Sequence, residues 1–90
     1  MEGKSVKRIL IVEDEQNIRE FEVINLQRVG YETVEAGSGE EALEIYDSDK
    51  KGFDIALLDI TMPGMDGFTL CKELRKRSSE IGIIMLTART

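Results

Sequence analysis

The sequence contains no histidine and no tryptophan, and its 90 residues include one cysteine and one proline. Without histidine, a His-based catalytic triad and a histidine zinc site are excluded. The lone Cys71 excludes an internal disulfide and a multi-thiolate metal centre. No apolar run approaches the ~20 residues of a membrane-spanning helix. No hydrophobic segment stands behind Met1–Ser5 of the kind a secretory signal needs. Positive charge is short as well, with 12 bases against 18 acids and a formal charge of −6. An acidic chain is by itself a poor binder of duplex DNA or anionic membrane. Carboxylates, hydroxyls and lysines remain for chemistry. The composition is globular, and residues 1–90 read as a single domain.

Four apolar runs alternate with helical patterns. Ile9-Leu10-Ile11-Val12 is unbroken, as in a strand buried on both faces, and it ends in Glu13-Asp14-Glu15. Residues 15–29 predict a helix with apolar residues at 18, 21, 24, 26 and 29, stopped by Gly30. Glu22 and Asn25 fall inside that apolar arc and are spaced to hydrogen-bond each other. Tyr31–Glu35 alternates like a half-exposed strand near an edge. Ser38 and Glu41 form a capping-box pattern before a second helix. Residues 53–60 supply a third strand ending in Asp59 and Ile60. Met62-Pro63-Gly64-Met65 suits a type II turn, and Asp66 suits the cap of a third helix with Phe68, Leu70, Cys71 and Leu74 inward. Its basic C-terminal residues, Lys72, Arg75, Lys76 and Arg77, suit the helix dipole. Ile83–Leu86 forms a fourth strand ending at Thr87. The order β-α-β-α-β-α-β predicts an α/β fold with a parallel sheet.

In such sheets, ligands bind beyond the carboxyl ends of the strands. Those ends carry Glu13 and Asp14, then Asp59, then Thr87. If the first and third strands are neighbours, three carboxylates converge. Their repulsion is relieved by protonation or by a hard cation such as Mg²⁺. A carboxylate beside Mg²⁺ can attack phosphorus and form an acyl phosphate, with a hydroxyl nearby to hold a phosphoryl oxygen. Each residue taken singly also reads as an ordinary loop or cap residue, since helix starts favour acids. The residues alone leave both readings open.

Three blocks carry a resemblance. Ile9–Glu15, Leu57–Gly67 (Leu-Leu-Asp-Ile-Thr-Met-Pro-Gly-Met-Asp-Gly) and Ile84–Arg89 resemble the receiver domain of bacterial two-component response regulators. The flavour is that of members carrying a winged-helix DNA-binding domain. The resemblance spans Lys7 to Thr90 and implies a flavodoxin-like fold. It implies that Asp59 is the phospho-acceptor and that a sensor histidine kinase is the phosphodonor. It implies Mg²⁺ held by Asp14 directly, by Glu13 through water, by Asp59 and by the backbone carbonyl of Thr61. Thr87 matches the hydroxyl that follows the phosphoryl group and switches conformation. Ala88 matches the small residue that leaves room for it. Thr61 and Arg89 match positions that tune hydrolysis. A receiver catalyses its own phosphorylation and dephosphorylation and is not otherwise a turnover enzyme. A cytoplasmic location follows from the same resemblance.

A receiver of this family continues through a fourth helix, a fifth strand and a fifth helix, which carry a phosphate-pairing lysine and an aromatic switch residue. The 90 residues therefore read as a C-terminally truncated receiver, about the first three quarters of a complete one. The parent protein is expected to be a transcriptional regulator, with no direct nucleic-acid binding and no membrane contact by this fragment. In the family's strand order 2-1-3-4-5, the fourth strand becomes an open edge, so self-association through it is expected. Phosphorylation is expected to be impaired, with Mg²⁺ still weakly bound. Two other readings compete. One is a Mg²⁺-dependent aspartyl-phosphate phosphohydrolase, which often has a second aspartate where Thr61 stands. The other is a self-associating fragment with an inert site.

Overall fold

The computed structural model describes residues 6–86. The element order is β1 (Arg8–Val12), α1 (Gln16–Arg28), β2 (Glu32–Ala36), α2 (Gly39–Ser48), β3 (Ile55–Asp59), α3 (Gly67–Arg77) and β4 (Gly82–Leu86). All strand pairs are parallel, in the order β2-β1-β3-β4. The alternation seen in the sequence is thus the observed topology, and β1 and β3 are neighbours, with Val12 opposite Leu58. The short half-polar β2 lies at one edge of the described sheet and the apolar β4 at the other.

Strand alternation divides the apolar residues between two faces. Leu10, Val12, Ala36, Ala56 and Leu58 pack with Ala42, Leu70 and Leu74 in the main core, beneath α2 and α3. The opposite face carries Ile9, Ile11, Ile55, Leu57 and Ile84. Helix α1 covers only its β1–β2 side. Beyond it lies a recess of about 160 Å³ lined by Ile9, Leu26, Tyr31, Ile55, Leu57 and Ile84.

Local signals explain the element ends. Gly30 takes φ 101, a left-handed conformation that stops α1. Gly64 takes φ 75, as the third position of a type II turn requires. Ser38 Oγ accepts from the Glu41 N–H at 3.0 Å, whereas the Glu41 carboxylate accepts from Gly37 rather than from Ser38. The capping box is therefore displaced by one residue. Asp66 caps α3, accepting from the Thr69 N–H at 2.9 Å.

Three side-chain expectations are corrected. The arc through Phe21, Ile24 and Val29 is not the packing face of α1, for all three are exposed. The half-buried positions are Ile18, Arg19, Glu22, Val23 and Leu26, a stripe with Glu22 at its centre. Glu22 and Asn25 do not pair. Asn25 donates back to the Phe21 carbonyl, and Glu22 Oε1 is buried without a partner among the described residues. Phe68 is also exposed, because the inner side of α3 is set by Leu70 and Leu74, with Cys71 packed beside them. Tyr31 precedes β2 instead of opening it.

Candidate functional site

The buried strands β1 and β3 run side by side and stop at the same level, which brings their acidic ends together. Glu13, Asp14 and Asp59 each offer a carboxylate oxygen, and these oxygens lie within 4.8 Å of one another. Asp14 is exposed, while Glu13 and Asp59 keep only 4% and 7% of their surface. Two nearly buried carboxylates at this separation are costly unless a proton or a cation joins them.

The electrostatics reflect that cost. Burial, reinforced by Asp59, Glu22 and Asp14, pushes the Glu13 carboxyl up to about 7, although the Glu15 N–H at 3.1 Å works the other way. Burial, and then the charge of Asp59, raises Glu22 as well. Glu22 therefore acts electrostatically on this cluster, a role its helical position did not reveal.

The backbone fixes the cluster. The Glu13 N–H donates to the Ala36 carbonyl at 3.1 Å, anchoring the end of β1 to β2. The Thr61 N–H donates to Asp59 Oδ1 at 3.3 Å and restrains that carboxylate's rotation. The Ile60 N–H reaches the Leu86 carbonyl at 2.9 Å, so the end of β4 adjoins Asp59. Thr87, Ala88 and Arg89, the expected hydroxyl, small and hydrolysis-tuning positions, lie outside the described residues.

Gly67 is a structural determinant that the motif reading missed. A Cβ there would lie 2.6 Å from the Asp59 carbonyl oxygen and 2.8 Å from Ile60 Cα. Only glycine lets α3 begin against the backbone of the acidic strand end. A glycine at the first position of a helix, where propensity disfavours it, was the available signal.

The donor set is three carboxylates and suits a hard divalent cation of the Mg²⁺ kind. Among the described residues, no helix is long and apolar enough to cross a membrane.

Residues 9–90 match the family described as the response regulator receiver domain. The chain is 48% identical over 82 residues to a probable transcriptional regulator, ycf27, of Cyanophora paradoxa. It is 41% identical over 83 residues to the alkaline phosphatase synthesis transcriptional regulatory protein PhoP of Bacillus subtilis. These matches take in 91% and 92% of this chain but 33% and 34% of the relatives, so the chain spans about a third of their length. Among solved structures, the response regulator protein TrrA from Thermotoga maritima, in complex with Mg²⁺-BeF, is 46% identical with a TM-score of 0.87. That match covers 94% of this chain and 72% of TrrA. A second structure, of the histidine kinase ThkA in complex with TrrA, matches with a TM-score of 0.85 over the same shares.

Proposed function

The chain belongs to the response regulator receiver domain family, and from that premise we propose that Asp59 accepts a phosphoryl group from a histidine kinase. The observation that carries the proposal is the convergence of Glu13, Asp14 and Asp59 at the ends of adjacent parallel strands. In the reaction, an Asp59 carboxylate oxygen forms a bond to phosphorus. The donor's bond to phosphorus breaks, and its electron pair leaves with the donor. The product is an acyl phosphate, and no proton needs to be removed from the nucleophile.

The chain's own residues prepare this step. Thr61 N–H holds Asp59 in one rotamer. Burial strips water from the Asp59 carboxylate. Glu13, Asp14 and Asp59, with the Thr61 carbonyl, would hold Mg²⁺. Mg²⁺ when bound would offset charge on the transferring group. Thr87 is proposed to donate its hydroxyl to a phosphoryl oxygen, Ala88 to leave space for it, and Thr61 and Arg89 to set the hydrolysis rate. The resemblance of those positions to the family supports these roles. The kinase partner is supported by the ThkA complex of the related TrrA. Its own phosphorylation and dephosphorylation are the only catalysis proposed, a cytoplasmic location accompanies them, and the parent protein is proposed to regulate transcription, as the names of its relatives suggest. We also propose association between copies through β4.

The test is phosphoryl incorporation from acetyl phosphate, read by intact mass. Mg²⁺-dependent incorporation of at most one phosphoryl group per chain is expected. Incorporation should be lost on chelation and in Asp59→Asn. Incorporation that survives Asp59→Asn would place the acceptor elsewhere.

A further inference from the structure

We infer that Arg19 is a positioning residue for the cation site, acting through the main chain of the acidic loop. Arg19 lies one turn into α1 and is half-buried. Its Nη1 donates to the backbone carbonyl of Glu13 at 2.7 Å, and its Nε donates to Glu35 Oε1 on β2 at 3.1 Å. The planar fork thus joins two elements through two separate donors, which a lysine cannot reproduce.

The target of the first bond gives it a function. The Glu13 carbonyl and the Asp14 N–H belong to one rigid peptide plane. The Glu13 N–H is already held by Ala36. Arg19 fixes the other side of the residue, so Asp14 leaves the end of β1 in one direction. Asp14 is the exposed member of the cluster, and no side-chain hydrogen bond orients it among the described residues. Its placement within 4.8 Å of its partners therefore depends on the peptide before it.

Two further observations separate this role from an ordinary surface ion pair. A Cβ on Gly37 would meet Arg19 Nη1 at an ordinary contact distance of 3.4 Å, so the guanidinium lies beside the β2–α2 loop as well as the end of β1. None of the three clustered carboxylates accepts from Arg19. Its donors go to the carbonyl and to Glu35, which leaves the cluster's oxygens for a cation.

This inference rests on the proposed Mg²⁺ site, and the experiment separates the two. Mg²⁺ is titrated calorimetrically into the metal-free chain at fixed ionic strength, for wild type, Arg19→Ala, Arg19→Lys and Glu35→Gln. Hydrogen exchange at the Asp14 amide is measured in parallel without metal. Arg19→Ala should weaken Mg²⁺ about tenfold, at the lower end of the range for residues that orient metal ligands. It should also speed Asp14 exchange. Arg19→Lys, which keeps one donor, should recover part of the affinity, and Glu35→Gln should lose only about twofold by the same reasoning. Wild-type affinity in Arg19→Ala overturns the inference and leaves the cation site standing. An equal loss in all three variants, with unchanged Asp14 exchange, also overturns it: the three substitutions change the local charge in different directions, so the effect would then be a general loosening of the fold. Absence of Mg²⁺ binding by the wild type overturns the site and the inference together.

Discussion

Asp59 and Gly67 belong to one arrangement, in which a carboxylate is held nearly buried while a helix starts against its own backbone. The Gly67 N–H donates to the Ile60 carbonyl at 3.0 Å, and the space for its Cβ is filled by main chain that cannot rotate away. Gly67→Ala should therefore cost about 1–3 kcal/mol, as overpacking does, read from the urea midpoint. It should also reduce phosphoryl incorporation by displacing Asp59. A variant with wild-type stability and incorporation would show that the contact relaxes freely. At this scale the sequence was informative where chemistry is written in residue type. Glu13, Asp14 and Asp59 follow from acids placed after buried apolar runs. Gly67, Arg19 and Glu22 were not legible in this way. Their importance lies in what another part of the chain brings near them; a glycine at a helix start and an acid in an apolar arc mark Gly67 and Glu22 as unusual without saying what they face.

Among the elements, α2 and the lower end of the sheet show how polar contacts set boundaries. Ser38 caps α2, so Ser38→Ala should cost about 1 kcal/mol, checked by chemical denaturation. Below the sheet, Arg8 ties β1 to β2 through Glu32 and to the α2–β3 loop through Asp49 and the Gly52 carbonyl, while lying 4.7 Å over the Phe53 ring. The Arg8 hydrogen bond holds the Asp49 carboxyl below its ordinary 3.8. A carboxylate depressed in the folded state stabilises the fold above its unfolded pKa. That contribution disappears as pH falls through the folded value. Asp49→Asn should accordingly lower stability at neutral pH and flatten the acid limb below about 3.8. An unchanged acid limb in thermal melts would contradict this. All seven elements were legible from periodicity and caps with small end errors. The packing face of α1 was not, because a helix with an acid in its contact stripe points its apolar arc elsewhere.

At the scale of the whole molecule, the sheet formed by the described residues is covered on one face and partly open on the other. The β4 strand carries no charge, proline or bulge that would protect an edge. Ile84 and Leu86 are 48% and 42% exposed, and Ile84 lines the recess beside α1. Light scattering over a concentration series should show dimers or larger species for this chain, shifting towards monomer in Ile84→Lys. A monomer at every concentration would show that the exposed edge is harmless. The parallel topology was readable because strand and helix patterns alternate. The strand order needed the family resemblance, since apolar runs do not say which neighbours they pair with.

The central claim is that Glu13, Asp14 and Asp59 act as one cation-holding unit around the phospho-acceptor. A Mg²⁺ titration followed by two-dimensional NMR of the backbone amides tests it most directly. The account predicts saturable shifts concentrated at residues 13–15 and 59–61, absent in Asp14→Asn. Shifts that grow without saturation across the acidic surface of this −6 chain would contradict it.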